Sequence, residues 1–93
     1  MHSKNKTPQT VGERAHTSRV AALNCIVCDA EGPSQVHEPE QGMWWISMPL
    51  CEPCHTGDQG WHGRRLRWTS RKMNELKAIN MTLAALYDTR RAA

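Results

Sequence analysis

A chain of 93 residues, 39% of them hydrophobic, makes one domain at most. Its core is small enough that a metal staple is physically expected. Twelve Lys or Arg against nine Asp or Glu leave a formal charge of +3, which permits a nucleic-acid partner without demanding one. The N-terminus has no apolar leader and no segment is long enough to span a membrane, so a cytoplasmic protein with reduced thiols is expected.

Residues 1–12 are polar, with Lys4, Lys6, Pro8 and scattered threonines, and read as a disordered arm. Residues 13–93 read as the single domain. His2 and His16 have no partners at ligand spacing and read as solvated side chains. From Glu13 to Leu23, Val20, Leu23 and the alanines at 15, 21 and 22 can line one face of a short helix, which Asn24 ends. Gly32-Pro33 signals a turn. Gln35 to Glu38 then reads as a strand, residues 39–42 as a second turn, and Trp44 to Met48 as the partner strand, stopped by Pro49. Leu50 leads into a short helix over Glu52 to Thr56. Gly57, Gly60 and Gly63 permit a tight loop around Trp61 and His62. From Thr69 to Arg90, Met73, Leu76, Ile79, Leu83, Leu86 and Tyr87 recur at three and four residues and predict a long helix. Thr69 or Ser70 would cap its start, and Arg90 and Arg91 suit its C-terminal dipole. The stripe is core or the seam of a homodimer.

Two Cys-x-x-Cys turns, Cys25–Cys28 and Cys51–Cys54, punctuate this order. Each turn offers two thiolates from one tight loop, and two turns complete a tetrahedron, so structural zinc is the expected occupant. Paired disulfides or redox-active motifs are the alternative, but neither turn sits in a thioredoxin-type strand-to-helix unit. The expected fold is therefore small α+β: a zinc-stapled ββα unit with an N-terminal helix and a long C-terminal helix.

His37, Glu38, His55 and His62 remain. A hairpin packed on a helix would bring a strand residue opposite the helix, so these imidazoles and a carboxylate can converge. Such a set holds a divalent cation with open positions, and that cation can bind a phosphodiester. A neutral imidazole or a carboxylate near it can take a proton from water. The plainer alternatives are a His55 that hydrogen-bonds a thiolate, and a His37 and His62 that are merely solvated.

Four segments carry a resemblance: Arg19 through Cys28, Gly32 through His37-Glu38, Met48-Pro-Leu-Cys51-Glu-Pro-Cys54-His55, and Gly60-Trp-His62-Gly63. Together they resemble the HNH (ββα-metal) endonucleases of phages and prophages, in particular the group related to Ref, a RecA-dependent recombination nuclease. The resemblance covers about residues 15–87, and the Pro-Leu-Cys-x-x-Cys-His and Gly-x-His-Gly segments are its specific part. It implies nicking or cutting of DNA in a bacterial host cell, with magnesium or manganese as catalytic ion beside the zinc. A recombinase or another phage or host protein is a candidate partner. In the family, the first strand carries a metal ligand followed by a general-base histidine. Here, if His37 takes the ligand position, Glu38 replaces the base; if His37 is the base, Val36 stands in the ligand position and cannot bind. His55 corresponds to a metal ligand, and His62 to a ligand or phosphate contact. The family's middle asparagine falls near Ile46 or Ser47, and neither is Asn.

Arg64, Arg65, Arg67, Arg71 and Lys72 follow within nine residues, with Trp68 among them. Arginines pair with phosphates and tryptophan stacks on bases, so this run is the expected DNA contact. A solvated basic face with Trp68 in the core is the bland alternative. Three functions follow in order: a metal-dependent DNA endonuclease, a non-catalytic zinc-stabilised DNA-binding module, and an adaptor that binds a host protein through the C-terminal helix.

Overall fold

A computed structural model describes residues 8–88. Most of the N-terminal arm, and the pair Arg90–Arg91, lie outside the described residues. The fold is small α+β, with a two-stranded antiparallel sheet and four helices.

Helix α1 spans Val11–Ala21. It begins two residues before Glu13 because Thr10 and Glu13 form a reciprocal cap. The Glu13 N–H donates to Thr10 Oγ1 at 3.0 Å, and the Thr10 N–H donates to the Glu13 carboxylate at 2.8 Å. His16 and Val20, four residues apart, share the inward face. His16 is therefore not solvated: it is 2% exposed, with its ring 5.1 Å from that of Trp45.

Strand β1 is Gln35–His37 and strand β2 is Met48–Leu50, with Gln35 opposite Leu50, Val36 opposite Pro49 and His37 opposite Met48. The partner strand thus starts later than its aromatic composition suggests. Trp44–Ile46 wind into a 3-10 turn, with the Ile46 N–H on Met43 O and the Ser47 N–H on Trp44 O. Pro49 lies inside the strand rather than ending it. In a two-stranded sheet each strand keeps an outer edge, where a residue without an N–H is tolerated. The Pro49 carbonyl still accepts from Ile26 N–H at 2.9 Å, which ties the first cysteine turn to that edge. Met48, Pro49 and Leu50 are all buried because α1 and the last helix both pack on β2.

Helix α2 is Glu52–His55. The chain then folds back on it. A Cβ at Gly60 would lie 2.7 Å from Pro53 O, and one at Gly63 would lie 2.3 Å from Asp58 O, so only glycine allows this approach. The return lets Trp61 N–H reach Cys54 O and His62 N–H reach His55 O, each at 2.9 Å.

The single long helix expected from residue 69 onward is two helices, α3 (Leu66–Thr69) and α4 (Glu75–Tyr87). Neither Thr69 nor Ser70 caps the long one. Lys72 takes a left-handed φ of 53°, and Asn74 caps α4 by accepting from Lys77 N–H at 2.8 Å. An Asn side chain that can bond the backbone locally favours a cap over a helix interior. Helix α4 buries Ala78 and Thr82 rather than its large apolar stripe, since small residues let it approach β2 and α1 closely. Met73 and Ile79 pack partly against the core, whereas Leu76, at 78% exposure, Leu83 and Tyr87 face outward.

Cys25, Val27, Met48, Leu50, Cys54, Trp68 and Ala78 form the buried core. Two of the four cysteines belong to it, so the staple and the core are one structure. Among the described residues, no helix is long and apolar enough to cross a membrane.

Candidate metal centres

The two Cys-x-x-Cys turns are built differently. In the first, Asp29 N–H bonds Cys25 O at 2.8 Å, Cys25 N–H bonds Ala30 O at 2.9 Å, and Asp29 takes a left-handed φ of 66°. In the second, Cys51 is the N-cap of α2 and Cys54 lies within that helix. The β1–β2 hairpin presents one turn to the other. All four sulfurs lie within 4.8 Å of one another, and Cys28 Sγ is 3.6 Å from Cys51 Sγ. A tetrahedron with metal–sulfur bonds of about 2.3 Å has sulfur–sulfur edges of about 3.8 Å. The cysteines are free thiols, and this spacing is far beyond a disulfide bond of about 2.05 Å. The group is positioned for a metal ion and is consistent with structural zinc.

The surroundings suit that role. Burial works against a charge on Cys28, but hydrogen bonds, led by the Ala30 N–H, outweigh it and lower its pKa to about 7. Burial pushes Cys54 up to about 12, against the opposing pull of Arg67. Arg67 Nε donates to Cys54 Sγ at 3.2 Å. A divalent cation would remove the remaining protons, since thiolates are the ligands.

The second group is His37, His55 and His62. Residues i and i+2 of a strand share a face, so β1 presents Gln35 and His37 on the same side. His55, the last residue of α2, places Nδ1 2.8 Å from Gln35 Oε1. The glycine-rich return brings His62 alongside. The three ring centroids are 4.9–5.2 Å apart, and one nitrogen from each ring lies within 4.8 Å of the others. His37 is buried at 4% exposure, His55 is intermediate and His62 is exposed, so the group opens to solvent on the His62 side. A cleft of about 370 Å³ lies over it, lined also by Val36, Glu38 and Gln41.

Electrostatics keep the His55 ring available to a cation. Burial, then repulsion from His37 and His62, depresses the His55 pKa to about 4, so its ring is neutral at pH 7. Three imidazole ligands suit manganese, cobalt, nickel or zinc better than magnesium, which prefers oxygen ligands. Two carboxylates lie near the group. Glu38 accepts from Gly42 N–H at 2.6 Å and closes the turn before the 3-10 segment, and Glu75 Oε2 lies 2.6 Å from His37 Nε2.

The basic run divides. Arg64 pairs with Asp58. Arg65 lies 3.7 Å over the Trp61 ring and donates through Nε to Trp61 O. Arg71 and Lys72 are exposed. Arg67 is turned to the Cys54 thiol, and Trp68 is fully buried, its indole N–H on Cys54 O at 2.7 Å. The Trp68 ring is therefore not presented to a nucleic acid, whereas Arg67 is half-buried and commits its Nε to the cysteine cluster. The helix α3 places one on the metal side and the other in the core.

Sequence reasoning missed Gln35 and Glu75. The alternation Gln35-x-His37 was a usable signal for the first. No pattern announced Glu75, because it becomes the first residue of a helix whose start was expected elsewhere. Comparison with protein-family models, curated proteins and solved structures found no match to this chain.

Proposed function

We propose that this chain is a metal-dependent DNA endonuclease of the HNH type, with a structural zinc on Cys25, Cys28, Cys51 and Cys54. The observation that supports it most is the convergence of three imidazoles from a strand, a helix and a loop at an open cleft beside the cysteine staple. In this reading β1, β2 and α2 are the ββα-metal core. His37, His55 and His62 would hold a second divalent ion, manganese in preference to magnesium on the nature of the donors.

Such an ion supplies positive charge for a phosphodiester oxygen and for the departing oxygen. The roles proposed for the protein's own residues draw on their positions. His37, buried and bonded to Glu75, takes the ligand position. Glu38, which lines the cleft, then takes the proton of the attacking water. Arg64, Arg65, Arg71 and Lys72 hold the DNA backbone next to the site through phosphate contacts. A phage or prophage DNA-processing role, with a recombinase or host protein as partner, belongs to the same proposal.

A second reading, a zinc-stabilised DNA-binding module without catalysis, draws on Ile46 and Ser47 standing where the family's bracing asparagine belongs. Nicking of supercoiled plasmid and of single-stranded DNA separates the two. Manganese, magnesium and EDTA would be compared, with wild type, His37→Ala and His62→Ala side by side. Cleavage that needs manganese and is lost in both variants supports the endonuclease. DNA binding without cleavage favours the module. Cleavage that persists in both variants places the activity elsewhere and refutes the site.

A further inference from the structure

We propose that Glu75 and Gln35 are positioning residues that set which nitrogen of His37 and of His55 carries the proton, so that each ring keeps a bare nitrogen for an ion. The inference rests on reading the histidine group as a metal site, and it does not require DNA cleavage.

An ionised carboxylate can only accept a hydrogen bond, so the 2.6 Å contact between Glu75 Oε2 and His37 Nε2 requires a proton on Nε2. In the neutral ring, Nδ1 is then left with its lone pair. An amide oxygen likewise only accepts, so the 2.8 Å contact from Gln35 Oε1 requires a proton on His55 Nδ1, which leaves Nε2 bare. The two histidines are therefore held in opposite tautomers. Each orienting residue has a defined place in the backbone. Gln35 sits on β1, two residues from His37, and Asn74 caps α4 immediately before Glu75. His37 is too buried for water to replace the carboxylate easily. The His62 ring, by contrast, is exposed and has no hydrogen-bond partner among the described residues.

A carboxylate behind an imidazole also raises its strength as a ligand, and loss of such a partner costs about 10- to 100-fold in metal affinity. Gln35 lacks the charge, so its loss should cost less. Helix α4 is in this way coupled to the site, although none of its residues belongs to the histidine group.

The test uses the full chain with zinc on the cysteines. Long-range proton–nitrogen NMR reports the tautomers without a second ion, and cobalt titration followed by absorbance and calorimetry reports the affinity. The expected result is a proton on Nε2 of His37 and on Nδ1 of His55. Glu75→Ala should weaken cobalt binding about 10- to 100-fold, and Glu75→Gln, which keeps an accepting oxygen, should recover part of the loss. Gln35→Ala should leave His55 in mixed tautomers with a smaller loss. Zinc content must stay at one per chain throughout, which excludes general unfolding. A His37 proton on Nδ1, or Glu75→Ala binding cobalt as tightly as wild type, overturns the proposal. If wild type binds no cobalt at the histidines, the metal reading beneath it falls as well, whatever the tautomers.

Discussion

Replacing Trp68 separates a core residue from a base-stacking one. Its side chain has no exposed surface, its ring packs 4.7 Å from that of Trp61, and its indole N–H satisfies the Cys54 carbonyl. Removal of a buried Trp side chain costs about 3–5 kcal/mol through lost transfer energy and the cavity it leaves. A chain of this size has a total stability of about 5–14 kcal/mol, so Trp68→Ala should leave a marginal fold. Trp68→Phe keeps most of the ring and loses the donor. The Cys54 carbonyl still accepts from Trp61 N–H, so loss of the indole hydrogen bond should cost about 0.5–1.5 kcal/mol, to which the lost volume adds. Urea unfolding followed by far-UV circular dichroism, at saturating zinc, measures both. The order of midpoints should be wild type, then Phe, then Ala. A Trp68→Ala protein with the wild-type midpoint but weakened DNA binding would refute the burial argument and restore Trp68 as a nucleic-acid contact.

Other outcomes follow from the same structure. Chelation of the zinc, or Cys28→Ser, should unfold the middle of the protein, because binding and folding are linked in such domains; circular dichroism with zinc added back checks reversibility. Gly63→Ala drives a Cβ to 2.3 Å from Asp58 O and must open the return that seats His62. It should therefore weaken the second ion while the cysteines keep zinc, read by metal analysis per chain. The pH dependence has a definite sign. The His55 pKa falls from 6.5 to about 4 on folding, so between these values the unfolded chain binds the extra proton. Without a second ion, stability should decline as pH falls from about 6.5 toward 4. Urea midpoints at pH 7 and pH 5 test this, and the decline should be smaller in His55→Asn.

Much of the candidate site was legible because its groups come from short-range rules. The Cys-x-x-Cys turns specify their own geometry, His55 follows the last cysteine directly, and glycines announce the return that carries His62. What escaped depended on competition between local structures. Trp44–Ile46 have β-forming side chains, yet the chain needs a 3-10 turn there to bring Met48 opposite His37. The apolar stripe beyond Thr69 has a helical period, yet Asn74 restarts the helix and thereby places Glu75 at His37. His16 carried no motif; its burial comes from sharing a helix face with Val20 and meeting Trp45. Arg67 and Trp68 looked alike as members of a basic, aromatic run, and only the packing of α3 onto the second cysteine turn distinguishes them.

The most direct test of the account is to locate the second ion. A crystal of the zinc-loaded protein soaked in manganese, measured near the manganese absorption edge, gives an anomalous map. The account predicts one zinc within the four cysteines and a manganese peak among His37, His55 and His62, within bonding reach of all three rings. Manganese bound elsewhere, or an empty histidine cluster at saturating manganese, would contradict it.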